Sequence, residues 1–197
     1  MYLFFRKLLS IYFHIKYKIN VINEDNIPDL KGGYIIAANH QKYADPPLIA
    51  SIIRGKFSFM AKDELFHKNP FFTFIIKACG AFPVVRGAGD DAPMQMAKEA
   101  LDKGRIFVIF PEGTRSKDGT IGRVKSGIAV IAGQSEAPVL PVCIRYGEKN
   151  KIDVNIGKLI PKEELVIDPE DRKSMRNICK RIQDDLVSPQ QEIFAND

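Results

Sequence analysis

Tyr34-Ile35-Ile36-Ala37-Ala38 runs directly into Asn39-His40-Gln41-Lys42-Tyr43-Ala44-Asp45-Pro46. The first five residues read as a buried strand, and the eight that follow as a breaker-rich turn. The pattern recurs. Ile106-Phe107-Val108-Ile109-Phe110 is a second apolar strand that ends in Pro111-Glu112-Gly113-Thr114-Arg115-Ser116. Between the two, Gly80-Ala81-Phe82-Pro83-Val84-Val85-Arg86-Gly87 is a short strand closing on an arginine, and Val139-Leu140-Pro141-Val142 follows both. Apolar strands that deliver charged groups at their tips are the signature of an open α/β sheet, where such tips meet in a ligand crevice.

Working outward, Lys18–Val21 reads as an edge strand, and Pro46-Pro47 opens a helix through about Ile53, proline being well placed in a first turn. Further strands are expected at Phe57–Ala61, Phe82–Val85, 105–110, 139–144 and 152–156. Helices are expected at Pro70–Lys77, Asp90–Asp102, 126–134 and Pro169–Leu186, the last with Met175, Ile178, Ile182 and Leu186 on one face. Strands alternating with helices predict an α/β sandwich with a mixed, largely parallel sheet flanked by helices. The expected organisation is an amino-terminal helix over residues 1–17, one domain over 18–187, and a polar tail, Ser188–Asp197, that frays.

The chain of 197 residues, 45% hydrophobic and 27% charged, fits one domain with a sizeable core and excludes disorder. Its 29 Lys and Arg against 24 Asp and Glu leave a net charge of +5, suited to nucleic acid, anionic lipid or phosphorylated substrates. No zinc-finger spacing, aromatic-rich RNA signature or basic tract is present, so nucleic acid is not expected as a partner, and the membrane and phosphate readings lead. Cys79, Cys143 and Cys179 are scattered without CxxC spacing, which suits reduced thiols in a cytoplasmic compartment, used for core packing.

Residues 1–17, MYLFFRKLLSIYFHIKY, alone have membrane character. Wound as a helix, Arg6, Lys7, Ser10, His14 and Lys18 gather on an arc of roughly 120°, with Met1, Phe4, Phe5, Leu8, Leu9, Ile11, Tyr12 and Ile15 over the remainder. No uncharged run reaches the ~18–20 residues needed to span a bilayer, and no small-residue cleavage site suggests a signal peptide. Two readings stay open: a helix packed on the protein's own core, or an interfacial helix with its aromatic face in the acyl boundary. The second is preferred, which places the protein peripherally at the cytoplasmic face of the cell membrane. Lys62-Asp63-Glu64-Leu65 is internal, so it is ordinary sequence rather than a retention signal.

His40 precedes Asp45 by five positions on one turn. A neutral imidazole can take a proton from an alcohol near pH 7 if a carboxylate holds its tautomer and stabilises the imidazolium. The plainer reading is a capping Asp beside a surface His. A metal site would need further ligands, and only His14 and His67 remain as histidines, so no metal and no resident cofactor are expected. No Gly-x-Ser-x-Gly elbow exists, so the nucleophile is expected to arrive with the substrate, as an alcohol. Arg86 and Arg115 suit a phosphate, whose oxygens match guanidinium forks; a solvated arginine at a strand end is the alternative. Gly113 allows close backbone approach and Thr114 adds a hydroxyl. Lys62 is either an extra cation in the site or simply exposed. Lys125-Ser126-Gly127 opens a helix whose amides suit an anion. His67 is expected at the surface. Phe57, Phe59, Phe66, Phe71, Phe72 and Phe74 suit either core packing or the lining of an acyl channel.

The His-x-x-x-x-Asp, Gly-x-Phe-Pro-x-x-Arg, Phe-Pro-Glu-Gly-Thr-Arg-Ser and Val-Leu-Pro-Val blocks lie in order across residues 39–142. Together they resemble the lysophospholipid acyltransferase family, in particular its bacterial 1-acyl-glycerol-3-phosphate acyltransferases. The resemblance implies a glycerol-3-phosphate acyltransferase-like fold and acyl transfer to the sn-2 hydroxyl of lysophosphatidic acid, giving phosphatidic acid. It implies acyl carrier protein or acyl-CoA as donor co-substrate, His40 and Asp45 as the catalytic pair, and Glu112 in acceptor binding. The wall of the acyl pocket falls to Val139–Val142, which holds no chemical group. Alternatives are another lysophospholipid or lyso-aminolipid acceptor, or a non-catalytic lipid-binding protein.

Overall fold

The computed structural model describes residues 2–67, 69–78, 80–84, 92–168, 170–171 and 173–195. Helix α1 (Tyr2–Lys16) leads into strand β1 (Lys18–Ile22), then β2 (Tyr34–Ala38), α2 (Asp45–Ile52), β3 (Phe57–Lys62), α3 (Pro70–Ala78) and β4 (Ala81–Val84). Helix α4 (Ala92–Asp102), β5 (Ile106–Ile109), α5 (Gly127–Ser135), β6 (Val139–Tyr146), β7 (Lys151–Ile156) and α6 (Ser174–Ala195) complete the order.

The seven strands form one sheet in the order β1-β7-β6-β2-β5-β3-β4. Strands β6, β2, β5, β3 and β4 are mutually parallel, while β7 runs antiparallel to β6 and carries β1 parallel to itself at the edge. The mixed, largely parallel sheet expected from the sequence is thus what forms. All five residues of β2 are buried, as a strand covered on both faces requires. Tyr34, Ile36 and Ala38 pack with Phe13 of α1 and Leu48 and Ile49 of α2 on one face. Ile35 and Ala37 pack on the other with Ala97 and Leu101 of α4, Ile128 and Ile131 of α5, and Ile178, Ile182 and Leu186 of α6. The period-two alternation of side chains sorts one strand into two cores.

This topology positions the site. Strand β2 lies between β5 and β6, the chain having crossed over β5 to make β3 and β4 first. The carboxyl ends of all five parallel strands share one edge, and the switch in strand order falls beside β2, where α/β sheets open a crevice.

Two expectations differ from the structure. The described part of the expected tail, residues 188–195, is helical: α6 runs through Pro189 to Ala195, with Ile193 and Gln190 buried. Proline removes one helical hydrogen bond, but tertiary bonds hold this turn. Gln190 Nε2 donates to Gly119 O at 2.7 Å, and Asn155 Nδ2 donates to Pro189 O at 3.1 Å and to Glu192 Oε2 at 2.8 Å. Helix α1 also divides its apolar surface. Phe13 is 2% exposed in the core and Leu9 packs beside it, whereas Leu8, Ile11, Tyr12 and Ile15 point outward, Ile15 at 82%. The outward residues follow i, i+3, i+4, i+7 spacing and so form one stripe. Among the described residues no helix is long and apolar enough to cross a membrane.

Candidate active site

Leaving β2, the chain turns sharply because Asp45, wholly buried at the first turn of α2, organises the preceding residues. Its Oδ2 accepts the main-chain N–H groups of Gln41 at 2.7 Å and Lys42 at 2.8 Å. The same oxygen meets His40 Nδ1 at 2.7 Å. A carboxylate only accepts, so Nδ1 carries the proton and Nε2 keeps its lone pair for chemistry. The imidazole edge stays 20% exposed while Asp45 is at 0%, which leaves the ring reachable and its partner dry. Phe110, at the tip of β5, stacks on the imidazole with centroids 4.1 Å apart and planes 24° apart, fixing the ring's orientation.

Strand β6 supplies the rest of the frame. Asn39, fully buried, donates from Nδ2 to Ile144 O at 2.9 Å and accepts Ile144 N–H on Oδ1 at 2.7 Å. Its amide imitates one more peptide of the β2–β6 ladder at the point where β2 peels away. Gln41 Nε2 reaches the same Ile144 carbonyl at 2.7 Å. Two residues on, the Tyr146 hydroxyl donates to Asp45 Oδ1 at 2.7 Å. Burial, then the Asp45 charge, push the Tyr146 pKa well above the usual tyrosine range, so the hydroxyl remains a donor.

The turn after β5 closes the site from the other side. Glu112 is 6% exposed. Its Oε1 accepts the His40 main-chain N–H at 2.9 Å and its Oε2 accepts the Gly122 N–H at 2.8 Å. Ser116 N–H donates in turn to His40 O at 2.7 Å. Gly113 holds φ +72°, so the turn favours glycine for its backbone, and the Lys125 side chain lies over it, with Nζ 2.7 Å from where a Cβ would stand. Arg115 lays its guanidinium 3.9 Å from the centroid of the Tyr43 ring and donates to the Tyr43 hydroxyl at 3.2 Å.

Of the residues singled out from sequence, His40, Asp45, Glu112, Gly113 and Arg115 therefore converge. The expectation that Glu112 faces the acceptor meets a different arrangement: both of its oxygens are engaged with the protein's own backbone. Thr114 is exposed on the same turn, and Lys62 ends β3 exposed on the same sheet edge. Arg86 lies outside the described residues. Lys125 is brought over Gly113 rather than standing apart at the start of α5. His67 is at the surface, paired with Asp63 at 3.1 Å. Of the phenylalanines, Phe57 and Phe59 are core, while Phe66 and Phe74 line an open hollow of about 450 Å³ with Pro70, Thr73 and Lys77. Sequence reasoning missed Asn39, Tyr43, Phe110 and Tyr146. The signal available for Tyr146 was the strand itself, which runs four residues past the Val-Leu-Pro-Val block and ends on a hydroxyl.

No serine, threonine or cysteine side chain is hydrogen-bonded to His40 among the described residues. Cys143, fully buried, has its thiol pushed up to about 12, first by burial and then by Glu112, so it is no thiolate nucleophile. A histidine held in this tautomer, with none of these nucleophiles bonded to it among the described residues, can take a proton from a hydroxyl.

The family model named acyltransferase matches residues 18–145, which take in His40, Asp45, Phe110, Glu112 and Arg115 and stop one residue short of Tyr146. The chain belongs to the acyltransferase family. It is 33% identical over 147 residues to a 1-acyl-sn-glycerol-3-phosphate acyltransferase of Streptococcus pneumoniae, covering 70% of this chain and 54% of that one. It is 29% identical over 160 residues to the Bacillus subtilis protein of the same name, covering 81% and 78%. The chain thus spans about half the length of the first relative and most of the second. The crystal structure of the 1-acyl-sn-glycerophosphate acyltransferase from Thermotoga maritima superposes with a TM-score of 0.71 at 28% identity, over 95% of this chain and 77% of that one. The likeness therefore extends to the mixed α/β fold.

Proposed function

We propose that the protein transfers a fatty acyl group from a thioester, carried by acyl carrier protein or CoA, to the free sn-2 hydroxyl of 1-acyl-glycerol-3-phosphate, giving phosphatidic acid. The observation that carries this reading is the 2.7 Å bond from His40 Nδ1 to Asp45 Oδ2, which leaves Nε2 as a base with no serine, threonine or cysteine bonded to it among the described residues. In the reaction, His40 Nε2 takes the proton from the sn-2 hydroxyl as its oxygen attacks the thioester carbonyl. The tetrahedral intermediate then collapses with loss of the thiolate, which takes the proton back from His40. Asp45 stabilises the imidazolium in between. Phe110 keeps the ring in the plane that this exchange needs.

Arg115, with Lys62 as a further cation, is assigned to the acceptor phosphate, with Gly113 and Thr114 shaping that turn; Arg86 is assigned to the same phosphate from its place in the Gly-x-Phe-Pro-x-x-Arg block. A guanidinium already flattened on Tyr43 loses little freedom on binding, which favours a bidentate grip. Glu112 acts beneath this surface by holding the base. The acceptor is a membrane lipid, and the outward stripe Leu8, Ile11, Tyr12, Ile15 gives α1 an apolar face for the interface, flanked by Lys7 and Lys16. The same helix docks on the core through Phe13. On this reading the protein sits peripherally on the cytoplasmic side of the membrane.

The test is purified protein offered labelled acyl-CoA or acyl carrier protein with a panel of lysophospholipids and lyso-aminolipids. Preference for 1-acyl-glycerol-3-phosphate supports the assignment. Transfer only to acceptors lacking a phosphate monoester would move the arginines out of the acceptor site.

A further inference from the structure

Asp45 Oδ2 is shared among three N–H donors, but Oδ1 has one partner among the described residues, the Tyr146 hydroxyl at 2.7 Å. Tyr146 is the last residue of β6 and comes from a strand separate from the turn that carries the base. Lys42 Nζ lies 3.9 Å from the centroid of its ring. We propose that Tyr146 is a positioning residue for acyl transfer, which sets, through its bond to Asp45 Oδ1, how strongly Asp45 stabilises the His40 imidazolium. This rests on the reading of His40 as general base and adds a residue that the sequence motifs leave out.

The physical reason is competition for one charge. A carboxylate that accepts a hydrogen bond on one oxygen is a weaker anion toward its partner on the other, and in a dry site the effect is not averaged away by water. Asp45 is fully buried. The charged or titratable groups facing the cluster are His40 and Lys42 on the turn, Glu112 from beyond β5 and Tyr17 from the end of α1. Of these residue types only histidine ordinarily changes charge between pH 5 and 8. The Tyr146 hydroxyl, kept protonated by burial and by Asp45, donates across that whole range. A cation over the ring makes the hydroxyl a better donor, which gives Lys42 a part in the same circuit.

Removing the hydroxyl should leave more of the Asp45 charge for the imidazolium, so His40 holds its proton to higher pH. The experiment is Tyr146→Phe in the full chain, with kcat against pH at saturating acyl donor and 1-acyl-glycerol-3-phosphate, beside its thermal midpoint. The acidic limb should move upward by about half a pH unit or more, an activity loss of about threefold on the acid side. The acceptor's phosphate titrates identically in both proteins and cancels. A folded Tyr146→Phe whose limb coincides with the wild type overturns the proposal and leaves Tyr146 a structural tie between β6 and the turn. Should that variant fail to fold, 3-fluorotyrosine placed at position 146 keeps the ring and strengthens the donor. The limb should then move downward, and an unmoved limb overturns the proposal equally. Retention of activity by His40→Ala would instead remove the base reading itself, and this proposal with it.

Discussion

Glu112 holds His40 by its main chain: Oε1 accepts the His40 N–H at 2.9 Å while Oε2 accepts the Gly122 N–H at 2.8 Å. One buried carboxylate thereby ties the turn after β2 to the loop ahead of α5, and its charge strengthens both bonds.

Glu112→Gln keeps one acceptor oxygen but sets an amide N–H₂ against a backbone N–H. The expected result is a fall in kcat of about tenfold or more and a stability loss of about 1–3 kcal/mol, with the acceptor KM nearly unchanged. Gly122→Ala should behave alike, because a Cβ there would stand 2.9 Å from Glu112 Oε2. Steady-state kinetics on both variants decide the matter. A raised acceptor KM with kcat intact would return Glu112 to the acceptor site.

Arg115→Ala should raise the KM for 1-acyl-glycerol-3-phosphate and leave the donor KM alone, since a charge-assisted bond to phosphate contributes about 1.5–3 kcal/mol. Arg115→Lys should recover only part of the loss, because lysine keeps the charge but neither the fork nor the stacking on Tyr43. Arg86→Ala is expected to act in the same direction. A rise in the donor KM instead would assign these arginines to the phosphates of the donor.

Helix α1 should separate into two functions. Ile11→Glu with Ile15→Glu alters only exposed positions, so stability should change by less than about 1 kcal/mol, while sedimentation with anionic vesicles drops. Phe13→Ala empties a core position and should cost about 3–5 kcal/mol. Vesicle sedimentation and thermal unfolding distinguish them. Unchanged vesicle binding by the double glutamate variant would remove the outward stripe from the interface.

Burial pushes the Cys143 thiol up to about 12 from an ordinary 9.0, and the Tyr34 hydroxyl up to about 12 from 10.0. A folded-state pKa above the unfolded value contributes stability that is complete below the unfolded value and is lost as pH rises. Unfolding midpoints should therefore fall between about pH 9 and pH 12. Native Cys143 should also resist iodoacetamide at neutral pH. Rapid alkylation of Cys143 in the folded protein would contradict this environment.

Most of the sheet was legible in the sequence because its strands are short apolar runs ended by glycine, proline and charge, and β2 falls where the pattern puts it. That His40, Asp45 and Arg115 lie near one another was legible because each follows an apolar strand, β2 or β5, and these strands pair in parallel with their ends on one sheet edge. Asn39 and Tyr146 were not: an asparagine before a turn and a tyrosine ending a strand are ordinary locally, and their roles come from the pairing of β2 with β6, over a hundred residues apart. The backbone bonds of Glu112 were hidden for a similar reason, since a motif carboxylate looks alike whether it faces substrate or backbone. The last turns of α6 were read as a fraying polar tail because nothing local in that stretch shows the bonds from Asn155 and to Gly119 that hold it in the helix.

The most direct measurement is acyl transfer to 1-acyl-glycerol-3-phosphate by the full chain and by its His40→Ala variant, each checked for folding by its thermal midpoint. Wild-type protein should yield labelled phosphatidic acid from acyl carrier protein or CoA thioester. The variant should lose about 10²–10⁴ in kcat with its midpoint nearly unchanged. A folded variant that keeps more than about a tenth of the wild-type rate, or a folded wild type that forms no phosphatidic acid from either donor, would contradict the central claim that His40 and Asp45 activate the acceptor hydroxyl.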